Sequence, residues 1–119
     1  MIAQGQVRCW GANHDGGLGD GTTTDSGQPV AVVGVSGAVS LGGGGNHECA
    51  VRSDRSVRCW GANYAGQLGD GTDVARPTGV DLSLADVASL VGGSRHSCAL
   101  STNATLRCWG GNQYGQLAT

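Results

Sequence analysis

A chain of 119 residues has room for one ordinary domain with a modest core, and this one must build it from 23 Gly, three Trp, one Met and no Phe. All seven cationic side chains are Arg and the net charge is −2, so no basic patch is present to recruit nucleic acid through its phosphates. No apolar run approaches the ~20 residues of a membrane span, and no polybasic or amphipathic stretch suits a membrane surface.

In chain order, Val-Arg-Cys-Trp-Gly at 7–11 reads as a first strand, followed by a glycine-punctuated turn segment with one apolar anchor, Leu18. A variable stretch from Thr23 to Val35 carries Pro29, and its Pro-Val-Ala-Val-Val edge reads as a short outer or inner strand. Ala38-Val-Ser-Leu and a glycine run at 42–45 lead to His47-Glu-Cys-Ala-Val-Arg, which alternates as a strand should. A polar turn at Ser53–Ser56 returns the chain through Val57-Arg-Cys-Trp-Gly, and the segment from Asn63 to Thr72 repeats the tight turns with Leu68 as anchor. A second variable stretch, Asp73 to Ser83, carries Pro77. Residues 83–91 have the pattern for one helical turn, but they fill the slot of Ala38–Leu41, which predicts a strand. His96-Ser-Cys-Ala-Leu, a turn at Thr102–Thr105 and Leu106-Arg-Cys-Trp-Gly complete the series. No segment sustains a 3.6-residue apolar period, and the fold class predicted is all-β.

The order repeats. Val-Arg-Cys-Trp-Gly-Ala-Asn at 7–13 recurs at 57–63 and, as Leu-Arg-Cys-Trp-Gly-Gly-Asn, at 106–112. A period near fifty with glycine, tryptophan and strands in every copy is the signature of β-propeller blades, four antiparallel strands each. Written from the Cys-Trp-Gly strand, the single array divides into repeat one at 7–56, repeat two at 57–105 and a truncated repeat three at 106–119. That is about two and a third repeats: the end of one blade, one complete blade and most of another. A start in mid-repeat without signal-peptide character, and an end that duplicates the beginning in phase, predict either a fragment of a larger propeller or copies that assemble.

Cys49 and Cys59 flank one polar turn and Cys98 and Cys108 another. With turns centred on Asp54 and Asn103, each pair stands directly opposite across a hairpin, within reach of a disulfide. Two cross-strand bridges are therefore predicted, Cys49 with Cys59 and Cys98 with Cys108, together with an oxidising compartment. Cys9 is left unpaired; as the equivalent of Cys108 it also competes for Cys98, the form a strand exchange between chains would take. His47 with Cys49 and Cys59, and His96 with Cys98 and Cys108, make only three candidate metal ligands each where a structural zinc wants four. No metal or other cofactor is expected.

Cys-Trp-Gly-Ala-Asn-Tyr-Ala-Gly-Gln-Leu-Gly-Asp-Gly-Thr at 59–72, preceded by Gly45-Asn-His-Glu-Cys-Ala-Val, closely resembles the repeat of the regulator of chromosome condensation family. Gly93-Ser-Arg-His-Ser-Cys-Ala-Leu with Cys108-Trp-Gly-Gly-Asn-Gln-Tyr-Gly-Gln-Leu matches again, so the resemblance covers nearly the whole chain. It implies a propeller, usually seven-bladed, and the cysteine-paired form is similar to a bacterial branch that is extracellular or at the cell surface. It also implies structural roles for Trp10, Trp60, Trp109, His47, His96, Leu18, Leu68 and Leu117. Members include nucleotide exchange factors for a small GTPase and bacterial β-lactamase inhibitors, but the acidic, specialised insertions of those roles are absent here.

Between fixed framework positions two neighbours vary from copy to copy: His14-Asp15, Tyr64-Ala65 and Gln113-Tyr114. They follow the tryptophan strand, where successive blades present them along one rim, and such a row predicts a non-catalytic scaffold that binds a protein partner. The alternative function is a structural module that self-assembles into a ring or fibre, by blade association or strand exchange, which Cys9 and the redundant ends favour. Catalysis is not expected: there is no nucleophile elbow, no His-Glu-x-x-His and no phosphate loop. The His and Asp residues recur with the repeat, as framework residues do.

Overall fold

The computed structural model describes residues 2–3, 5–44, 47–63, 66–68, 74–82, 86–93 and 96–110, with only the backbone of Ile2, Ala3 and Gly43. Among these, every regular element is a strand: β1 (Ile2–Ala3), β2 (Gln6–Gly11), β3 (Ser26–Ala31), β4 (Ala38–Gly43), β5 (His47–Arg52), β6 (Val57–Gly61), β7 (Arg76–Leu82), β8 (Val87–Gly92), β9 (His96–Ser101) and β10 (Leu106–Gly110). They form three antiparallel sheets in the orders β1-β2-β3, β4-β5-β6-β7 and β8-β9-β10. The middle sheet is a complete four-stranded blade; the first lacks an innermost strand and the third an outermost one among the described residues. Sheet and sequence repeat are out of phase. Repeat one, 7–56, contributes β2 and β3 to the first blade and β4 and β5 to the second.

A strand places alternate side chains on opposite faces, and the middle blade uses both. Val57 and Cys59 of β6 point to a cluster with Val51, Leu68, Leu82 and, from the third blade, Val87 and Leu90. Trp60 of the same strand points the other way, to a cluster with Ala50 and, from the first blade, Val7, Val32 and Val35. The core is therefore two seams between blades. Burial of each Val or Leu there contributes roughly 1.5–3 kcal/mol.

The hairpin between β5 and β6 explains the cysteine spacing. Arg55 N–H closes on Arg52 C=O at 2.8 Å, Asp54 Oδ1 accepts from Ser56 N–H at 3.0 Å, and Arg55 takes a left-handed φ of 69°. This is the three-residue hairpin loop that sets the register Val51↔Val57, Ala50↔Arg58, Cys49↔Cys59. The loop between β9 and β10 copies it, with Ala104 at φ 68° and Cys98 facing Cys108. Both cysteine pairs are disulfides with Cα atoms 4.0 Å apart.

The glycine run has a packing reason. β4 and β8 pack together as successive innermost strands. A Cβ at Gly42 would run into the Leu90 carbonyl, and one at Gly44 into the Gly93 carbonyl. Backbone approach this close admits no side chain.

Candidate functional site

The loop after β2 is organised by one buried side chain, Asn13, which is 1% exposed. Its Oδ1 accepts from Leu18 N–H at 2.9 Å, while its Nδ2 donates to the carbonyls of Thr22 and Thr24, both at 3.0 Å. Its own N–H donates to Asp25 Oδ1 at 2.8 Å. Asn63 repeats the device, accepting from Leu68 N–H at 2.9 Å and donating to Val74 C=O at 3.0 Å. One amide thus closes a loop and seats the leucine behind it: Leu18 is 3% exposed and Leu68 is fully buried. Partial burial disfavours the Asp20 carboxylate, but hydrogen bonds from Thr22 and Asn13 outweigh it and hold that carboxyl below its usual range. The residues mark this asparagine only through the recurrence of Trp-Gly-x-Asn in all three copies.

On this frame stand His14 and Asp15. The His14 side chain is 85% exposed and that of Asp15 20%, with Nε2 and Oδ1 3.5 Å apart. Tyr64, Ala65, Gln113, Tyr114 and Leu117 lie outside the described residues, so the structure brings together only the first of the three variable pairs.

The tryptophans divide. Trp60 is fully buried and donates its indole N–H to Gly17 C=O at 3.0 Å; Trp109, half-buried, donates to Gln67 C=O at 2.9 Å. Gly17 and Gln67 are equivalent positions in the loop of the preceding blade, so the tryptophan belongs to the seam between blades. Trp10 departs from the expected role in a blade core: it is 54% exposed, because no earlier loop among the described residues stands against its face.

His47 also crosses a seam. Its Nε2 lies 2.8 Å from Ser97 Oγ, and Ser97 Oγ donates to Gln67 C=O at 2.8 Å. Since that bond uses the hydroxyl proton, His47 Nε2 carries the hydrogen and donates. Burial keeps the His47 pKa below its usual value. His96, in the third blade, is less buried than its counterpart. With both thiols of each hairpin joined, neither the His47 set nor the His96 set has thiolates to offer a metal.

A cleft of about 400 Å³ lies between the first and second blades, lined among others by Cys9, Trp10, Leu18, Leu41, His47 and Glu48. Glu48 occupies the position that Ser97 has in the next repeat, and burial pushes its carboxyl up to about 7. Burial and the nearby Glu48 raise the Cys9 thiol. Cys9 is unpaired.

The regulator of chromosome condensation (RCC1) repeat pattern matches residues 38–67 and 87–116, and a second description of that repeat matches 56–100. Among solved structures, that of Kap60 bound to yeast RCC1 (Prp20) is similar at 26% identity and a TM-score of 0.73, over 89% of this chain and 26% of that one. Prp20p of Saccharomyces cerevisiae, studied for its binding to Gsp1p and histones, gives 26% identity and a TM-score of 0.76 over 94% of this chain and 28% of its own. Human WBSCR16 shares the fold, with a TM-score of 0.83 at 21% identity over 92% of this chain and 29% of its own. The chain therefore spans little more than a quarter of the length of these proteins. No curated protein sequence matches it.

Proposed function

The chain belongs to the regulator of chromosome condensation repeat family, and from that premise we propose that it is a non-catalytic scaffold that binds a protein through its rim loops. The observation that carries this reading is His14: a side chain 85% exposed, on a loop pinned from beneath by a buried asparagine. A rigid frame with an exposed, interchangeable tip presents a contact without the entropy cost of ordering it on binding. The similar yeast protein, which is bound by Kap60 and was studied for its binding to Gsp1p and histones, supports a protein ligand. The buried state of the His47–Ser97 pair supports a structural rather than catalytic role, since Ser97 is 0% exposed and its proton is already committed. The two disulfides support an oxidising compartment, extracellular or at the cell surface.

Site-specific photo-crosslinking tests the reading. A benzophenone side chain replaces His14 in one variant and Gln28, exposed on the outer strand β3, in another. In a protein extract, the rim probe is expected to capture discrete partners that the outer-strand probe does not. Equal labelling from both positions overturns the rim assignment.

A further inference from the structure

Of the asparagines, Asn103 alone opens an Asn-x-Thr triplet, Asn103-Ala104-Thr105, with a residue other than proline in the middle. Asn13, Asn46, Asn63 and Asn112 have Asp15, Glu48, Ala65 and Tyr114 at the third place. The triplet forms the tip of the β9–β10 hairpin, and all three of its residues are exposed. That exposure belongs to the tip itself. Asp54 holds the same place in the middle blade, which packs against a blade on each side, and it is exposed as well.

The fold asks only for an oxygen at this place. Asp54 Oδ1 accepts from Ser56 N–H at 3.0 Å and from the Ser56 hydroxyl at 2.6 Å, while Asn103 Oδ1 accepts from Thr105 N–H at 3.2 Å. A backbone N–H can only donate, so the amide atom that faces it is the oxygen. Asn103 Nδ2 and the Thr105 hydroxyl make no hydrogen bond among the described residues. The tip thus carries an amide nitrogen that the turn does not use, two residues before a hydroxyl that it does not use either.

We propose that Asn103 is an acceptor for an asparagine-linked glycan. This rests on the oxidising compartment inferred from the two disulfides, since lipid-linked glycans are transferred to chains that have left the cytosol. In the transfer, Asn103 Nδ2 forms a bond to the anomeric carbon of an oligosaccharide carried on a polyprenyl diphosphate. The bond from that carbon to the diphosphate oxygen breaks, the lipid diphosphate leaves, and the amide gives up one proton to the transferase. Nothing is oxidised or reduced. The Thr105 hydroxyl is the group such a transferase reads two residues after its acceptor.

The product keeps Oδ1, so Thr105 N–H keeps its partner and the hairpin its register. The sugar also stays clear of the proposed contact. The tip precedes a Cys-Trp-Gly strand and the His14 loop follows one, so the two lie at opposite ends of a blade.

Secreting the full chain behind a cleavable leader from a eukaryotic cell culture tests the acceptor. The readouts are intact mass, disulfide mapping and glycan release by a peptide N-glycosidase in heavy-oxygen water. Expected is one glycan-sized mass increment and, after release, a heavy-oxygen aspartate at 103 and at no other asparagine. Asn103→Asp keeps the accepting oxygen, as Asp54 does, and Thr105→Val keeps the N–H. Each is expected to be secreted with both disulfides and to lose the increment completely. A secreted chain with both bridges formed and Asn103 bare overturns the proposal, as does an increment that survives in either variant. A glycan on Asn103 with the hairpin cysteines left as thiols keeps the acceptor and overturns the compartment reading instead.

Discussion

Trp60 donates its indole N–H to the Gly17 carbonyl, 3.0 Å away across the seam between two blades, and Trp109 does the same to Gln67 one repeat later. The tryptophan is thus a tenon set into the loop of the blade before it. Where that loop is missing among the described residues, at Trp10, the ring is exposed.

That difference predicts unequal costs for the same substitution. Trp60→Ala removes a fully buried ring and should cost about 3–5 kcal/mol. Trp10→Ala, in dilute protein without association, should stay within about 0.5 kcal/mol. Urea denaturation followed by circular dichroism measures both, and equal losses would refute the seam role.

The glycines should divide in the same manner. Gly44→Ala drives a methyl into the Gly93 carbonyl where β4 meets β8, and is expected to destabilise by about 2 kcal/mol or more. Gly27→Ala on β3 meets nothing within 4 Å, and should be neutral or stabilising by up to about 1 kcal/mol. Thermal melts of the two variants make the comparison.

How much of this was legible in the residues follows from what repeats. Period-two alternation around Cys49 and Cys98, with polar turns between, fixes strands, register and bridges, because a hairpin loop of given length permits one pairing. The seams were not legible, since Trp10, Trp60 and Trp109 are the same letter in the same motif and only their neighbours differ. Nor was the cleft, which lies beside Cys9 and Trp10, beyond the part of β2 that pairs with β1 at Gln6 and Val7. Asn13 was visible as a recurrence, but its role needs the fold that brings Thr22, Thr24 and Asp25 around it.

The tight hairpin offers a stabilising change. Ala104 holds φ 68°, a conformation that costs a residue with a Cβ roughly 1–2 kcal/mol and glycine little. Glycine's greater freedom when unfolded offsets part of the gain, so Ala104→Gly should stabilise by about 0.5 kcal/mol. Asn103→Ala should act oppositely, because Asn103 Oδ1 accepts from Thr105 N–H at 3.2 Å. Chemical denaturation of the pair reads both signs at one loop.

Glu48 and His47, adjacent on β5, should give stability two opposing dependences on pH. Burial raises the Glu48 pKa from 4.5 to about 7, so between these values the folded chain holds a proton that the unfolded chain has lost. Stability from this group is therefore present at the acid end of that window and falls as pH rises through it. Burial lowers the His47 pKa below 6.5, so just under that value the unfolded chain binds the extra proton and stability is lost as pH falls. In the native protein the two slopes partly cancel. Glu48→Gln keeps shape and polarity but removes one of them, so its stability should rise with pH up to about 6.5 and then level off. It should also exceed the parent chiefly at and above pH 7. Denaturation midpoints at steps across this range test the account; parallel curves for parent and variant would show that the Glu48 carboxyl does not titrate in the cleft.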